Sequence, residues 1–144
     1  MTTGRRIEGT MPVAFRYTPG VGAGAFLAGL GDRELRGSRC AACGVTYLPA
    51  RAFCERCLAA LAPEVRCGPE GTLVSATAVH VDVDGRSLPT PEAYVLVRFD
   101  GADTVMLLRW LGPDAARIGA RAAVAWRSEH VGSILDIDGV VPVT

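Results

Sequence analysis

The sequence predicts a mainly β protein: a short N-terminal helix, a module built on paired cysteines, then a five-stranded OB-type barrel. Three observations predict it. Segments rich in β-branched residues follow one another between residues 72 and 141, punctuated by glycine-bearing turns. Two CxxC pairs precede them within residues 40–57. Phe26, Leu27 and Leu30 stand at helical spacing ahead of those pairs.

Residues 1–21 read as an irregular extension, broken by Pro12, Pro19 and several glycines. The helix is expected from Gly22 to Leu35, weakened by its own glycines. With the cysteine pairs it forms a module over 22–62, and the barrel takes 63–144. TLVSATAVHVDV (72–83) is the first barrel strand and DGRSLPTPE (84–92) a loop. AYVLVRFD (93–100) and TVMLLRWL (104–111) flank Gly101-Ala102-Asp103 as a hairpin. GPDAARIGA (112–120) is a connector with one helical turn. RAAVAWRSE (121–129) and SILDIDGVV (133–141) make a second hairpin through Gly132. One long loop and one mid-chain connector among five strands suit a small closed barrel, with a different β-sandwich as the alternative.

Nearly half of the 144 residues are apolar, enough to build a core. The net charge is zero and every basic residue is arginine. Residues 1–70 carry nine Arg against six acids, and residues 71–144 six against nine. Neither half has the basic stripe of a duplex-binding domain. The opening MTTGRRIEGT has no apolar run after its arginines, so no secretory signal is expected. The uncharged stretch Pro19 to Gly31 is too short and glycine-rich to span a bilayer. A soluble, cytoplasmic protein is expected. In a reducing compartment paired cysteines are metal ligands before they are disulfides.

Cys40-Ala-Ala-Cys43-Gly44 and Cys54-Glu-Arg-Cys57-Leu58 are separated by ten residues. Two thiolates three positions apart converge on one ion when the chain turns tightly, and Gly44 supplies the positive φ such a turn needs. Two turns facing each other place four sulfurs at tetrahedral corners, the closed rubredoxin-like zinc ribbon. VTYLPARAF (45–53) is expected to form a small hairpin between them. Iron accepts the same ligands; zinc is preferred. Four thiolates leave no open coordination position, so the metal is structural. It can contribute about 10–16 kcal/mol to a module too small to stabilise itself. Serine at Cys40 or Cys57 is expected to unfold the ribbon and leave much of the barrel formed.

Other candidates are weaker. Gly20-Val-Gly22-Ala-Gly24 lacks the third glycine and the βαβ context of a dinucleotide fingerprint, and reads as a flexible lead into the helix. Cys67 lies outside the ligand pattern and is expected to be buried as a small apolar residue. His80 is expected on a half-buried strand and His130 at a turn, neither with a partner close in sequence. No GxSxG or HExxH motif is present, and no catalytic residue is assigned. Arg33, Arg36, Arg39, Arg51 and Arg56 surround the cysteine module, as a solvated surface or as contacts for coenzyme A phosphates or a partner.

FLAGLGDRELRGSRCAACGVTYLPARAFCERC, then GTLVSATAVHV and ARIGARAAVAW, resembles the zinc-ribbon plus OB-fold proteins associated with acyl-CoA metabolism. The ordered set covers about residues 22–143. The first pair lacks the proline that many relatives carry, and Ala50 stands where a second proline is common. The stretch RIEGTMPVAFRYTPG resembles a longer subgroup. The resemblance implies a non-catalytic subunit, hetero-oligomeric with a thiolase-fold enzyme or an acyl-CoA hydratase, that supports acyl transfer, condensation or retro-aldol cleavage of CoA thioesters. Two other readings compete. A single-stranded nucleic-acid module would need a basic groove with exposed aromatics, against which the barrel's net negative charge argues. A stand-alone acyl-CoA-binding protein would bind its ligand without a partner.

Overall fold

The computed structural model describes residues 9, 12–14, 16–63 and 65–143. Most of the extension over 1–21 lies outside them, and residues 16–19 have no regular structure. Helix α1 spans Gly20–Gly31. The glycines expected to lead into the helix are inside it, and Leu35 is outside. Close packing explains the glycines. A Cβ on Gly22 would lie 2.8 Å from the Arg51 carbonyl carbon, and one on Gly29 would lie 2.8 Å from Glu34 O. The helix stops where Arg33 takes a left-handed φ of 58° and the Glu34 N–H donates to Gly29 O at 2.8 Å.

Strands β1 (Leu35–Arg39), β2 (Thr46–Tyr47) and β3 (Val65–Cys67) form an antiparallel sheet in the order β2-β1-β3. The expected hairpin within 45–53 is absent. Thr46 and Tyr47 pair backwards onto Arg39 and Ser38 instead, because the tight turn at Cys40–Gly44 folds β2 onto β1.

The barrel holds β4 (Glu70–Val81), β5 (Ser87–Phe99), β6 (Met106–Arg109), β7 (Arg121–Trp126) and β8 (Ile137–Pro142), in the order β6-β5-β4-β7-β8. A parallel bridge between Trp110 and Val140, with the Leu111 N–H donating to Val140 O at 2.9 Å, brings the two ends together. The first barrel strand thus pairs with the second and fourth, and the third closes on the fifth. This is the OB arrangement, as the sequence predicts.

Differences from the expected elements are local. Residues 87–92 are strand, not loop, with Pro89 and Pro91 in an irregular stretch between the pairs Val81–Ser87 and Val79–Glu92. Interrupted pairing tolerates residues that cannot donate to a ladder. The connector 112–120 has no helical turn. The second hairpin is wider than expected, since residues 134–136 form a 3-10 turn.

Asp136 organises that turn. It is 2% exposed and accepts the N–H groups of Gly132 at 2.8 Å and Ser133 at 3.1 Å, with Val131 at 3.2 Å. Burial alone would raise its pKa. The backbone donors of Ser133, Val131 and Gly132, with His130 nearby, outweigh that and hold it below the usual carboxylate range. Its stabilising contribution is therefore present above the unfolded value of about 3.9 and is lost as pH falls through the lower folded value. Thermal melts of wild type and Asp136→Asn are expected to show the variant less stable at neutral pH, with the gap closing below about pH 4. A gap that is constant down to strong acid would exclude this role.

One apolar core runs through both halves of the chain. Phe26, Leu30, Leu35, Leu48 and Ala50 pack in the same cluster as Leu73, Val95, Val97, Phe99 and Val140. A second, smaller cluster holds Cys40, Tyr47, Cys54 and Leu61. A clamp of hydrogen bonds from the Asp103 and Thr104 side chains to the backbone of β2 and Leu48 ties the two sheets. Thr46 N–H donates to an Asp103 carboxylate oxygen at 2.8 Å, and Asp103 N–H donates to Thr46 O at 2.9 Å. Leu48 N–H donates to Thr104 Oγ1 at 2.8 Å, and that hydroxyl donates to Leu48 O at 2.7 Å.

Candidate metal centre

The two cysteine pairs occupy two turns of the same construction. Gly44 N–H donates to Cys40 O at 2.8 Å, and Leu58 N–H donates to Cys54 O at 3.0 Å. Cys40 N–H donates to Val45 O at 2.8 Å, and Cys54 N–H donates to Ala59 O at 2.9 Å. The first turn is gripped by β1–β2 pairing and the second by the Phe53–Ala60 bridge. The fifth residue of each turn is left-handed: Gly44 at φ 72° and Leu58 at φ 59°. Leucine bears a steric penalty of about 1–2 kcal/mol there, so only the first turn has the residue its backbone favours.

The four sulfurs of Cys40, Cys43, Cys54 and Cys57 all lie within 4.8 Å of one another. Cys40 and Cys57 Sγ are 3.6 Å apart, close to the edge of roughly 3.8 Å that a tetrahedron with 2.3 Å metal–sulfur bonds requires. Cys40 and Cys54 are fully buried, Cys43 is partly covered, and Cys57 is exposed. Cys43 N–H points at Cys40 Sγ, 3.4 Å away. The donor set fits a tetrahedral thiophilic ion.

Electrostatics point the same way. Hydrogen bonding to the Tyr47 hydroxyl, 3.3 Å away, brings the Cys54 thiol down to about 6. Cys43 is pushed up to about 12, first by its hydrogen bond with Cys57 and then by burial. Four sulfurs this close cannot all be thiolates without a cation among them. Tyr47, which the sequence does not mark out, backs the site: its hydroxyl also accepts the Glu55 N–H at 3.3 Å. An aromatic residue between two ligand pairs is the only sequence signal for it.

The remaining candidates are distributed as follows. Cys67 is 6% exposed, with burial raising its pKa, as expected of a packed thiol. His80 is exposed, not half-buried, because its strand has left the barrel at that point. His130 has a partner that sequence proximity could not show: Arg33 Nε donates to its Nε2 at 3.2 Å. Arg36 pairs with Asp32 at 2.7 Å and Glu34 at 3.0 Å. Arg51 pairs with Glu55 and lies over the Tyr47 ring, 5.1 Å from its centroid. Arg39 donates to Thr46 Oγ1 at 3.2 Å, and Arg56 is exposed on the second turn. Four of the five arginines are thus engaged by neighbouring side chains of the protein itself. No described helix is long and apolar enough to cross a membrane.

Residues 27–64 match the model of the ChsH2 rubredoxin-like zinc ribbon domain, and residues 64–127 match that of the ChsH2 C-terminal OB-fold domain. The chain belongs to the ChsH2 zinc-ribbon and OB-fold family. Among solved structures, a DUF35-family protein of unknown function from Sulfolobus solfataricus resembles this ChsH2-type chain with a TM-score of 0.64 and 25% identity, covering 82% of each chain. A chain of the Ltp2-ChsH2(DUF35) aldolase shares its fold with a TM-score of 0.58 and 20% identity, over 81% of this chain and 91% of that one. No curated protein matches the sequence.

Proposed function

We propose that Cys40, Cys43, Cys54 and Cys57 hold one structural zinc ion, and that the chain is a non-catalytic accessory subunit of a thiolase-like acyl-CoA enzyme. On this reading the metal-stapled module, expected over 22–62, runs from α1 at Gly20 through β3, whose Val65–Cys67 pair with β1, and the barrel, expected over 63–144, begins with β4 at Glu70. The observation that carries the reading is the closed four-sulfur cluster in a ChsH2-type chain. Four protein ligands leave the ion no position for water or substrate, so it organises the fold and does no chemistry. The name of the Ltp2-ChsH2(DUF35) aldolase couples a ChsH2 chain to an aldolase, which supports an enzyme partner for this chain; acyl transfer, condensation or retro-aldol cleavage of CoA thioesters is the reaction class that the family resemblance implies for it. Arg56, exposed beside the metal, is the leading candidate for meeting a phosphate or a partner carboxylate.

Co-expression with a thiolase-fold enzyme from the same genome is expected to yield a complex that survives gel filtration. The enzyme alone should lose most of its activity or solubility and regain it when this chain is added. A fully active enzyme that never associates with it would overturn the proposal. Elemental analysis separates zinc from iron, and the strong visible absorption of an iron tetrathiolate gives a second readout.

A further inference from the structure

Tyr47 and Cys54 are both buried, so their contact lies out of water. The Tyr47 oxygen stands 3.3 Å from Cys54 Sγ and also accepts the Glu55 N–H at 3.3 Å. A phenol carries one proton, and an oxygen turned to accept the Glu55 N–H directs that proton elsewhere. The Cys54 sulfur is where it points. A sulfur that binds a metal is a thiolate, so the acceptor in the loaded protein is a buried anion.

Two further contacts fix the ring. Arg51 lies over its face, 5.1 Å from the centroid. The Arg51 guanidinium pairs with Glu55, the same residue whose N–H the hydroxyl accepts. A cation over the face draws on the ring's electrons and polarises the O–H toward sulfur. Tyr47 belongs to β2, which pairs with β1 beside the first ligand turn, whereas Cys54 opens the second. One hydroxyl therefore ties the two turns together at a ligand atom.

We propose that Tyr47 is a positioning residue for the metal: its hydroxyl donates to the Cys54 thiolate and offsets part of the cluster's charge, with Arg51 acting through the ring. The inference rests on the metal reading and deepens it. Four thiolates make a dianion around a divalent ion and a monoanion around a trivalent one. A buried donor aimed at sulfur therefore favours the divalent ion. Arg51 serves the metal here, leaving Arg56 as the candidate for an outside anion.

Chelator competition on the zinc-loaded full chain tests this with no enzyme present, alongside spectra of the cobalt-loaded form and the potential of the iron-loaded form. Tyr47→Phe is expected to raise the zinc dissociation constant about 10–100-fold. It should also move the sulfur-to-cobalt charge-transfer band to longer wavelength and lower the iron(III)/iron(II) potential. Lost packing alone would weaken binding and leave the band and the potential in place. Arg51→Met keeps the ring and its hydroxyl, and should shift all three readouts the same way by less. In the Tyr47→Phe background Arg51→Met should add nothing, since the arginine acts through the hydroxyl. An unmoved band and potential in Tyr47→Phe would overturn the proposal, as would an additive double variant. Should Tyr47→Phe fail to fold, wild-type readouts in Arg51→Met would overturn it instead. A wild type that takes up no metal would sink the four-sulfur site itself, a result distinct from the others.

Discussion

Replacing Cys54 by serine is expected to strip the metal from the protein and to destabilise the barrel along with the ribbon. Zinc in small modules contributes about 10–16 kcal/mol, against about 5–15 kcal/mol for the whole stability of an ordinary domain. Losing it leaves the turns at Cys40–Gly44 and Cys54–Leu58 with four crowded sulfurs and no cation between them. Once those turns open, β2 loses its purchase on β1, and with it the Thr46–Asp103 and Leu48–Thr104 clamp onto the barrel. Leu48 and Ala50 then leave the shared core. The sequence alone suggests that much of the barrel survives such a change; the continuous core argues that it does not survive unaltered. Elemental analysis with urea unfolding decides it. A zinc-free variant keeping the wild-type midpoint would sink the account of the site, and a barrel unfolding at its old midpoint would sink the coupling.

Phe99→Ala is expected to cost about 3–5 kcal/mol, a large part of the total. Phe99 is 1% exposed at the end of β5, where it reaches the junction between the sheets. A Cβ added to Gly68 would lie 3.0 Å from Leu35 Cδ1 and 3.3 Å from Phe99 Cδ1, so the ribbon's leucine and the barrel's phenylalanine meet across that glycine. Truncation opens a cavity lined from both sides. Val83→Ala, at a fully exposed position, is the control and should change stability by less than about 0.5 kcal/mol. The midpoint and slope of urea curves measure both. A change below about 1 kcal/mol for Phe99→Ala would mean that the two sheets do not depend on this contact.

What the sequence made legible was local. The spacing of Cys40, Cys43, Cys54 and Cys57 is a short-range constraint, and the structure draws the four sulfurs together as that spacing suggests. The barrel strands were visible because β-branched residues cluster between glycine turns. Pairing across long separations was not. Thr46 and Tyr47 pair with Arg39 and Ser38, which the sequence does not point to, because two residues carry no periodicity. Residues 87–92 looked like a loop because proline normally breaks a ladder, and only the interrupted register shows why it does not here. Arg33 and His130 are 97 positions apart, and nothing in either neighbourhood announces the contact. The glycines of α1 looked like flexibility, whereas Gly22 and Gly29 let other backbone come within van der Waals reach.

The core that crosses from one sheet to the other bears on how this architecture can be reused. Leu35, Leu48 and Ala50 are surrounded by barrel side chains although they precede the barrel in the chain. Grafted onto an unrelated scaffold, the cysteine module would carry those three apolar groups into water with nothing to receive them. The module is therefore no interchangeable cartridge, and any chimera has to bring along the barrel wall against which it grew.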